Sequence, residues 1–245
     1  MDKKVALITG ASGGIGSEIA LEFARNGYDL VLVYNTHPVD SVLLECQKLG
    51  AQCLSAKCNL TNEDDINLLV SCAMDHFGRI DVLVNNAGIS IDTLFQDKTV
   101  KEFRHTLDVN LVGTFLLSKL VGMIMMDQRS GKIINITSTN GINTYYPMCI
   151  DYDASKAGLI SLTHNLAVQF APYVNVNAVA AGFIATPHEV EQMDEEFIKS
   201  EVAKIFVHRV GTAKDVANLV AFLASAKADF INNEVIRIDG GQYGA

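Results

Sequence analysis

Val5-Ala6-Leu7-Ile8-Thr9-Gly10-Ala11-Ser12-Gly13-Gly14-Ile15-Gly16 is the stretch whose reading decides the fold. A continuous apolar run enters a glycine turn, after which Ile15, Ile19, Ala20 and Phe23 recur at helical spacing. Strand, turn, helix is the reading. Glycine permits positive φ and close backbone approach, and a helix N-terminus points N–H groups at an anion. Gly10, Gly14 and Gly16 therefore predict a cradle for a pyrophosphate, with a ligand-free tight turn as the alternative. Their spacing is Gly-x-x-x-Gly-x-Gly rather than Gly-x-Gly-x-x-Gly.

Working outward, the same rhythm repeats. A second strand over 28–34 ends at Tyr34-Asn35-Thr36-His37, where a carboxylate would bind the ribose 2′-hydroxyl of NAD and repel a 2′-phosphate. No carboxylate stands there, and Asn35, Thr36 and His37 can donate to a phosphate, so the sequence favours NADP(H) over NAD(H). A helix near 39–49 and a strand at 51–57 follow, and Thr61 with Asp64 reads as the N-cap and first-turn acid of the next helix. The fourth strand, Ile80-Asp81-Val82-Leu83-Val84, ends in Asn85-Asn86-Ala87-Gly88, polar and small residues at the edge where open α/β sheets bind ligands. One helix is predicted over 99–127, with Phe103, Leu107, Leu111, Phe115 and Leu116 as its apolar stripe. Asn110 interrupts that stripe, as a functional kink or as a surface residue. Strands at 132–138, 174–179 and 234–238 complete the set, and an acidic segment at 188–206 reads as a substrate lid or a solvated amphipathic helix. Seven strands alternating with about six helices imply one doubly wound parallel α/β domain over residues 1–245, without internal repeats.

Chemistry concentrates at Tyr152-Asp153-Ala154-Ser155-Lys156. In a helix, positions i and i+4 stack, so the Lys156 ammonium lies near the Tyr152 phenol and favours its ionised form. Tyr152 is thus expected to exchange a proton near neutral pH, against the plainer reading of an exposed pair with no chemistry. Ser138, at the end of the fifth strand, is brought beside the phenol by a strand-loop-helix excursion.

Composition narrows the rest. The chain has 245 residues, 49% hydrophobic, with a net charge of −9 and no basic block, which argues against nucleic acid and anionic membranes as partners. The apolar runs are read as too short to span a bilayer, and the N-terminus does not read as a signal peptide. Five cysteines without a Cys-x-x-Cys pair imply a reduced, cytoplasmic protein, with Cys149 either a reactive thiol or, as free Cys usually is, a buried filler. Scattered histidines imply no catalytic metal.

In motif order and spacing, Thr9 to Gly16, Asn85-Asn86-Ala87-Gly88, Asn110, Ser138, and Tyr152 with Lys156, the whole chain resembles the short-chain dehydrogenase/reductase family. The resemblance implies a seven-stranded Rossmann-like sheet and hydride transfer between nicotinamide and a carbonyl or alcohol carbon. It implies that Tyr152 is the general acid, Ser138 bonds the reacting oxygen, Lys156 lowers the phenol's pKa and holds the nicotinamide ribose, and Asn110 positions a water in a proton relay. Gly10, Ser12, Ile15 and Gly16 would face the diphosphate, Asn59 and Leu60 the adenine, Asn86, Ala87 and Gly88 the adenosine side, and Ile184 and Thr186 the carboxamide. Two positions depart from the family: Ala181 stands before Gly182 where Pro is usual, expected to loosen the backbone there, and Asn59 stands where Asp is usual. Overall the chain looks most like bacterial 3-oxoacyl-acyl-carrier-protein reductases, which implies a carrier-bound acyl substrate. The approach 144–150 and the acidic lid depart from that branch and leave a small-molecule sugar, polyol or other secondary alcohol open, with a non-catalytic dinucleotide-binding module as a third reading. The lid spans about 183–212, and Arg129 is a candidate docking residue. A homotetramer is implied, consistent with apolar residues such as Val121, Met123 and Met125 lying beyond one core stripe.

Overall fold

The computed structural model describes residues 3–143 and 145–243. Its strands are β1 (Val5–Thr9), β2 (Asp29–Tyr34), β3 (Cys53–Lys57), β4 (Val82–Asn85), β5 (Gly131–Ser138), β6 (Val174–Ala181) and β7 (Val235–Ile238). They form one parallel sheet in the order β3-β2-β1-β4-β5-β6-β7, a doubly wound Rossmann-like arrangement. The order reverses between β1 and β4, which opens a crevice at their carboxyl ends.

The helices are α1 (Gly14–Arg25), α2 (Asp40–Lys48), α3 (Glu63–Phe77), α4 (Val100–Leu107), α5 (Gly113–Gln128), α6 (Ile150–Phe170), α7 (Pro187–Gln192), α8 (Glu195–Ala203) and α9 (Ala213–Ala224). Side chains of a strand alternate between faces, so β1 sends Ala6 and Ile8 to one core, with Phe23, Cys46 and Val220 from α1, α2 and α9. Val5 and Leu7 go to the other, with Leu69, Leu117 and Leu166 from α3, α5 and α6. A buried polar chain crosses this second layer. Asn85 Nδ2 donates to Ser118 Oγ (2.9 Å) and to Asn135 Oδ1 (2.8 Å), and Asn135 Nδ2 donates to Thr163 Oγ1 (2.9 Å). Each link has a partner, so the chain fixes α5 and α6 on β4 and β5 without stranding a buried group.

Several expectations need correction. The helix read over 99–127 is two, α4 and α5, joined by a π-helical turn at Asp108–Val112 that contains the buried Asn110. Of the two readings of Asn110, the kink holds. A π turn inserts a residue, which rotates the following helix by about 100° relative to an uninterrupted count. The expected stripe therefore slips: Phe115 is exposed, while Leu117, Val121 and Met125 are fully buried. Val121 and Met125 thus belong to the core, and only Met123 of that trio faces solvent. By length and composition the run Val100–Gln128 is apolar enough to cross a membrane, which corrects the reading of short apolar runs, but its buried face packs under the sheet. The α3 N-cap is Asn62, whose side chain accepts from the Asp64 and Asp65 N–H groups, while Thr61 is bonded to Asn59 Oδ1. β6 continues through Ala181, which pairs with Ser138 and Ile238, so this backbone is a sheet ladder rather than a loosened exit.

Candidate active site

The glycine turn is built for close approach. Gly10 and Gly14 have φ of +66° and +55°, conformations that side chains resist, and a Cβ on Gly16 would lie 2.1 Å from the Gly10 carbonyl oxygen. Asn86, leaving β4, staples the turn: its Nδ2 donates to the carbonyls of Thr9 (3.0 Å) and Gly10 (3.1 Å). The N–H groups of Asn86 and Ala87 both donate to Thr9 Oγ1 at 3.0 Å. With a glycine backbone at the α1 N-terminus, the turn fits a dinucleotide pyrophosphate.

On one side of the turn a cavity of about 360 Å³ is lined by Gly10, Ser12, Tyr34, Asn35, Asn59 and Leu60, among others including Thr36, His37, Ala87 and Gly88. Tyr34 ends β2, and no carboxylate side chain joins this wall. On the other side a cavity of about 200 Å³ brings together Ile15, Asn86, Ser138, Tyr152, Lys156 and Ile184, with Gly88 bordering both cavities. The expected cofactor residues thus line two cavities that share Gly88, except Gly14 and Gly16 at the start of α1 and Thr186, which lines neither cavity.

Ser138 ends β5, with its Oγ accepting the Asn140 N–H at 3.2 Å, and it lines the same cavity as Tyr152. Tyr152 and Lys156 stand one turn apart on α6. The ammonium, however, donates to the Ile136 carbonyl at 2.8 Å and lies 5.4 Å from the centre of the Tyr152 ring. Burial raises the Tyr152 phenol above its ordinary value, against the lowering by Ser138. The expectation of a phenol acidified by Lys156 is therefore corrected for this site: burial sets the direction, and the group that lowers the phenol is Ser138 rather than the ammonium. Burial also lowers Lys156 to about 8. At neutral pH the site holds a protonated phenol beside a mostly protonated ammonium, a proton donor with a cation ready to stabilise its conjugate base.

Asn110 lies behind this pair and lines neither cavity. Its Oδ1 accepts the Ile89 N–H (2.8 Å), and its Nδ2 donates to Ile89 O (2.9 Å) and to Ser155 Oγ (3.0 Å). Cys149 is a buried filler, its thiol pushed up to about 12 by burial and by Asp153. Among the described residues, no three His, Cys, Asp or Glu side chains are placed to hold a metal ion. Arg129 stacks on Tyr173, 5.7 Å from the ring centre.

Beside α6 a wider, apolar cavity of about 630 Å³ is lined by Phe95, Ile142, Tyr145, Tyr146, Pro147, Ile150 and Asp153, among others. Thr144, part of the approach singled out in the sequence, lies outside the described residues. One buried charge pair has no local mark in the sequence: Lys98 with Asp151, 3.0 Å apart, the acid directly before Tyr152. An acid in the first turn of a helix reads as solvent-facing, and its partner lies 53 positions away.

A family model described as enoyl-(acyl carrier protein) reductase matches residues 10–242. The 3-oxoacyl-(acyl-carrier-protein) reductase of Synechocystis sp. is 39% identical over 242 residues, 97% of this chain and 96% of its own length. That of Staphylococcus aureus is 37% identical over 243 residues, 98% of each. Among solved structures, 7α-hydroxysteroid dehydrogenase complexed with NADH and 7-oxo glycochenodeoxycholic acid is similar at a TM-score of 0.92 and 32% identity, covering 98% of this chain and 94% of that one.

Proposed function

Since this chain belongs to the short-chain dehydrogenase/reductase family, we propose that it is an NADP(H)-preferring reductase of 3-oxoacyl thioesters with Tyr152 as its proton donor. Nicotinamide-dependent carbonyl reduction is the chemistry its relatives support; the acyl substrate follows the relatives' names. The observation that carries the reading is the cavity where Ser138, Tyr152 and Lys156 converge beside the glycine turn. The NADP(H) preference rests on Asn35, Thr36 and His37 on the adenosine-side wall.

When bound, the nicotinamide dinucleotide supplies the hydride. Tyr152 Oη holds the proton that the carbonyl oxygen takes up, and its raised pKa keeps that proton in place until charge develops on the oxygen. Ser138 Oγ accepts from the Asn140 N–H, which leaves its own hydrogen to donate to the same oxygen. Lys156 then stabilises the phenolate that Tyr152 becomes. Asn110 holds Ile89 and Ser155, and so fixes the loop after β4 against the helix that bears Tyr152 and Lys156; the water relay implied by the family is proposed to run past it. Ile184 and Thr186 are proposed to hold the carboxamide. The segment 183–212, with α7 and α8, is proposed as the lid of a single domain, its Phe183 and Phe197 rings 6.0 Å apart. Exposed Val112, ending the π turn, and Phe115 and Met123 on α5 suit the proposed homotetramer in a cytoplasmic setting.

One observation favours a second reading, a dehydrogenase of a small secondary alcohol. Glu191, Asp194, Glu195 and Glu196 make the lid acidic, whereas an acidic carrier protein docks best on a basic patch. Purified protein is assayed with acetoacetyl thioester, with NADPH and NADH compared. Thioester turnover preferring NADPH is expected, with kcat of Tyr152→Phe reduced about 10²-fold or more. Alcohol-dependent reduction of NADP without thioester turnover moves the substrate to the second reading, and an unchanged Tyr152→Phe rate removes Tyr152 from the mechanism.

A further inference from the structure

Tyr152 is bracketed by two anchored carboxylates. Asp153 accepts from Asn140 Nδ2 at 2.7 Å and from the Tyr146 N–H at 3.2 Å, which ties the helix start to the loop after β5. Asp151 turns the other way, into the protein. Its Oδ1 lies 3.0 Å from Lys98 Nζ, with the two side chains 0% and 5% exposed, and its Oδ2 accepts from Thr106 Oγ1 at 2.7 Å. Lys98 in turn donates to the Ile91 carbonyl at 2.5 Å. The loop 89–98, which contributes Ile89 and Phe95 to the neighbouring cavities, is thus held to α6 through a buried charge and at Ile89 through Asn110, and to the segment just before α6 at Thr93, whose N–H donates to Met148 O at 2.9 Å.

Burying two charges carries a desolvation cost that their attraction must repay, and a well-packed apolar pair of similar volume is often as stable or more so. Stability alone therefore does not account for a charge pair at this depth. What the pair adds is direction: a buried carboxylate whose Oδ2 accepts the Thr106 hydroxyl of α4 and whose Oδ1 makes an ion pair with Lys98, without a hydrogen bond, sets the rotation of the first turn of α6. The residue that turn presents next is Tyr152. We propose that Lys98, Asp151 and Thr106 are positioning residues that fix Tyr152 Oη against Ser138 and hold the loop 89–98 in register with it. The proposal rests on the carbonyl-reductase reading of the site for its kinetic consequence, but not for its structural one.

The test compares wild type with Asp151→Asn, the double variant Lys98→Met/Asp151→Leu, and Thr106→Val. Asp151→Asn leaves a buried ammonium poorly compensated and is expected to lower Tm, while the apolar double variant recovers it. If the pair positions Tyr152, the double variant still loses kcat by about 10- to 100-fold, as sub-ångström misplacement of a reacting group does, with the Kd for NADPH unchanged. Recovery of kcat together with Tm overturns the proposal. Thr106→Val, which removes one hydroxyl and keeps the shape, is expected to lower kcat severalfold without changing NADPH affinity, and an unaltered kcat counts against the proposal even if the double variant does not fold. Amide hydrogen exchange is expected to rise together in loop 89–98 and the first turn of α6 in the double variant; unchanged exchange refutes the anchoring. Because that readout needs no turnover, a wild type that reduces no carbonyl would sink the reductase reading alone.

Discussion

Lys156→Met offers a measurement in which one buried group is isolated by subtraction. Lys156 is only 4% exposed, and burial lowers its ammonium from 10.5 to about 8. At roughly 1.4 kcal/mol per unit, that depression corresponds to about 3 kcal/mol of preference for the neutral form in the folded protein. Below pH 8 the lysine is protonated whether the chain is folded or not, so the full penalty is present and stability does not depend on its titration. Between about 8 and 10.5 the folded protein has released the proton and the unfolded chain still holds it. Stability therefore rises with pH across that window, because the unfolded state binds more protons. The methionine variant has a side chain of comparable length and no charge to lose. Its stability difference from wild type is expected to be flat up to about pH 8, then to shift in favour of wild type by about 3 kcal/mol by pH 10.5. Subtraction cancels every other titrating group that the two proteins share, so the absolute effect of losing the 2.8 Å bond to the Ile136 carbonyl, a constant offset, does not enter. Urea unfolding followed by circular dichroism, at one protein concentration and without dinucleotide, gives both curves. A difference that stays flat through pH 10.5, or that moves in favour of the variant, refutes the reasoning: Lys156 would then be as well solvated in the folded protein as in the unfolded chain.

Two further outcomes concern the dinucleotide walls. Gly16→Ala should stabilise an exposed helix by about 1 kcal/mol on propensity alone, yet its Cβ would fall 2.1 Å from Gly10 O and 2.6 Å from Asn86 Nδ2. The turn must move, so a fall in Tm and at least about a tenfold weaker NADPH affinity are expected by fluorescence titration; unaltered affinity would mean that the turn is not the pyrophosphate seat. Asn35→Asp places a carboxylate on the adenosine-side wall beside Tyr34. It is expected to lower kcat/KM for NADPH about tenfold and to leave that for NADH nearly unchanged, and an equal loss for both cofactors would remove the argument for a 2′-phosphate pocket.

How far the fold could be read in advance depended on which signals are local. The strand, glycine turn and helix at Val5 to Arg25 were legible because each is dictated by its own residues: a run buried on both faces, glycines that alone accept the positive φ at Gly10 and Gly14, and an amphipathic repeat. The end of β6 has no local mark, because Ala180-Ala181-Gly182 lacks the β-branched residues typical of a strand, whereas the ladder there is set by neighbours on β5 and β7. The α4–α5 stripe failed for a sharper reason. Counting at 3.6 residues per turn is an integral along the chain, and the single inserted residue of the π turn at Asp108–Val112 displaces everything after it, so Val121 and Met125 fall beyond the core stripe that the count predicts. Asn110 was the one visible mark of that insertion, because a polar side chain inside an apolar stripe competes for backbone groups. The candidate site divides the same way. Ser138, Tyr152 and Lys156 were legible from the sequence, since a strand end and one helical turn suffice to bring them together, but the direction of the phenol's titration was not. That direction is set by burial, and by an ammonium drawn to the Ile136 carbonyl twenty residues away. Lys98 and Asp151 lay furthest beyond reach: each charge alone matches a solvent-facing position, and only the packing of α4 on α6 turns two unremarkable residues into one buried pair.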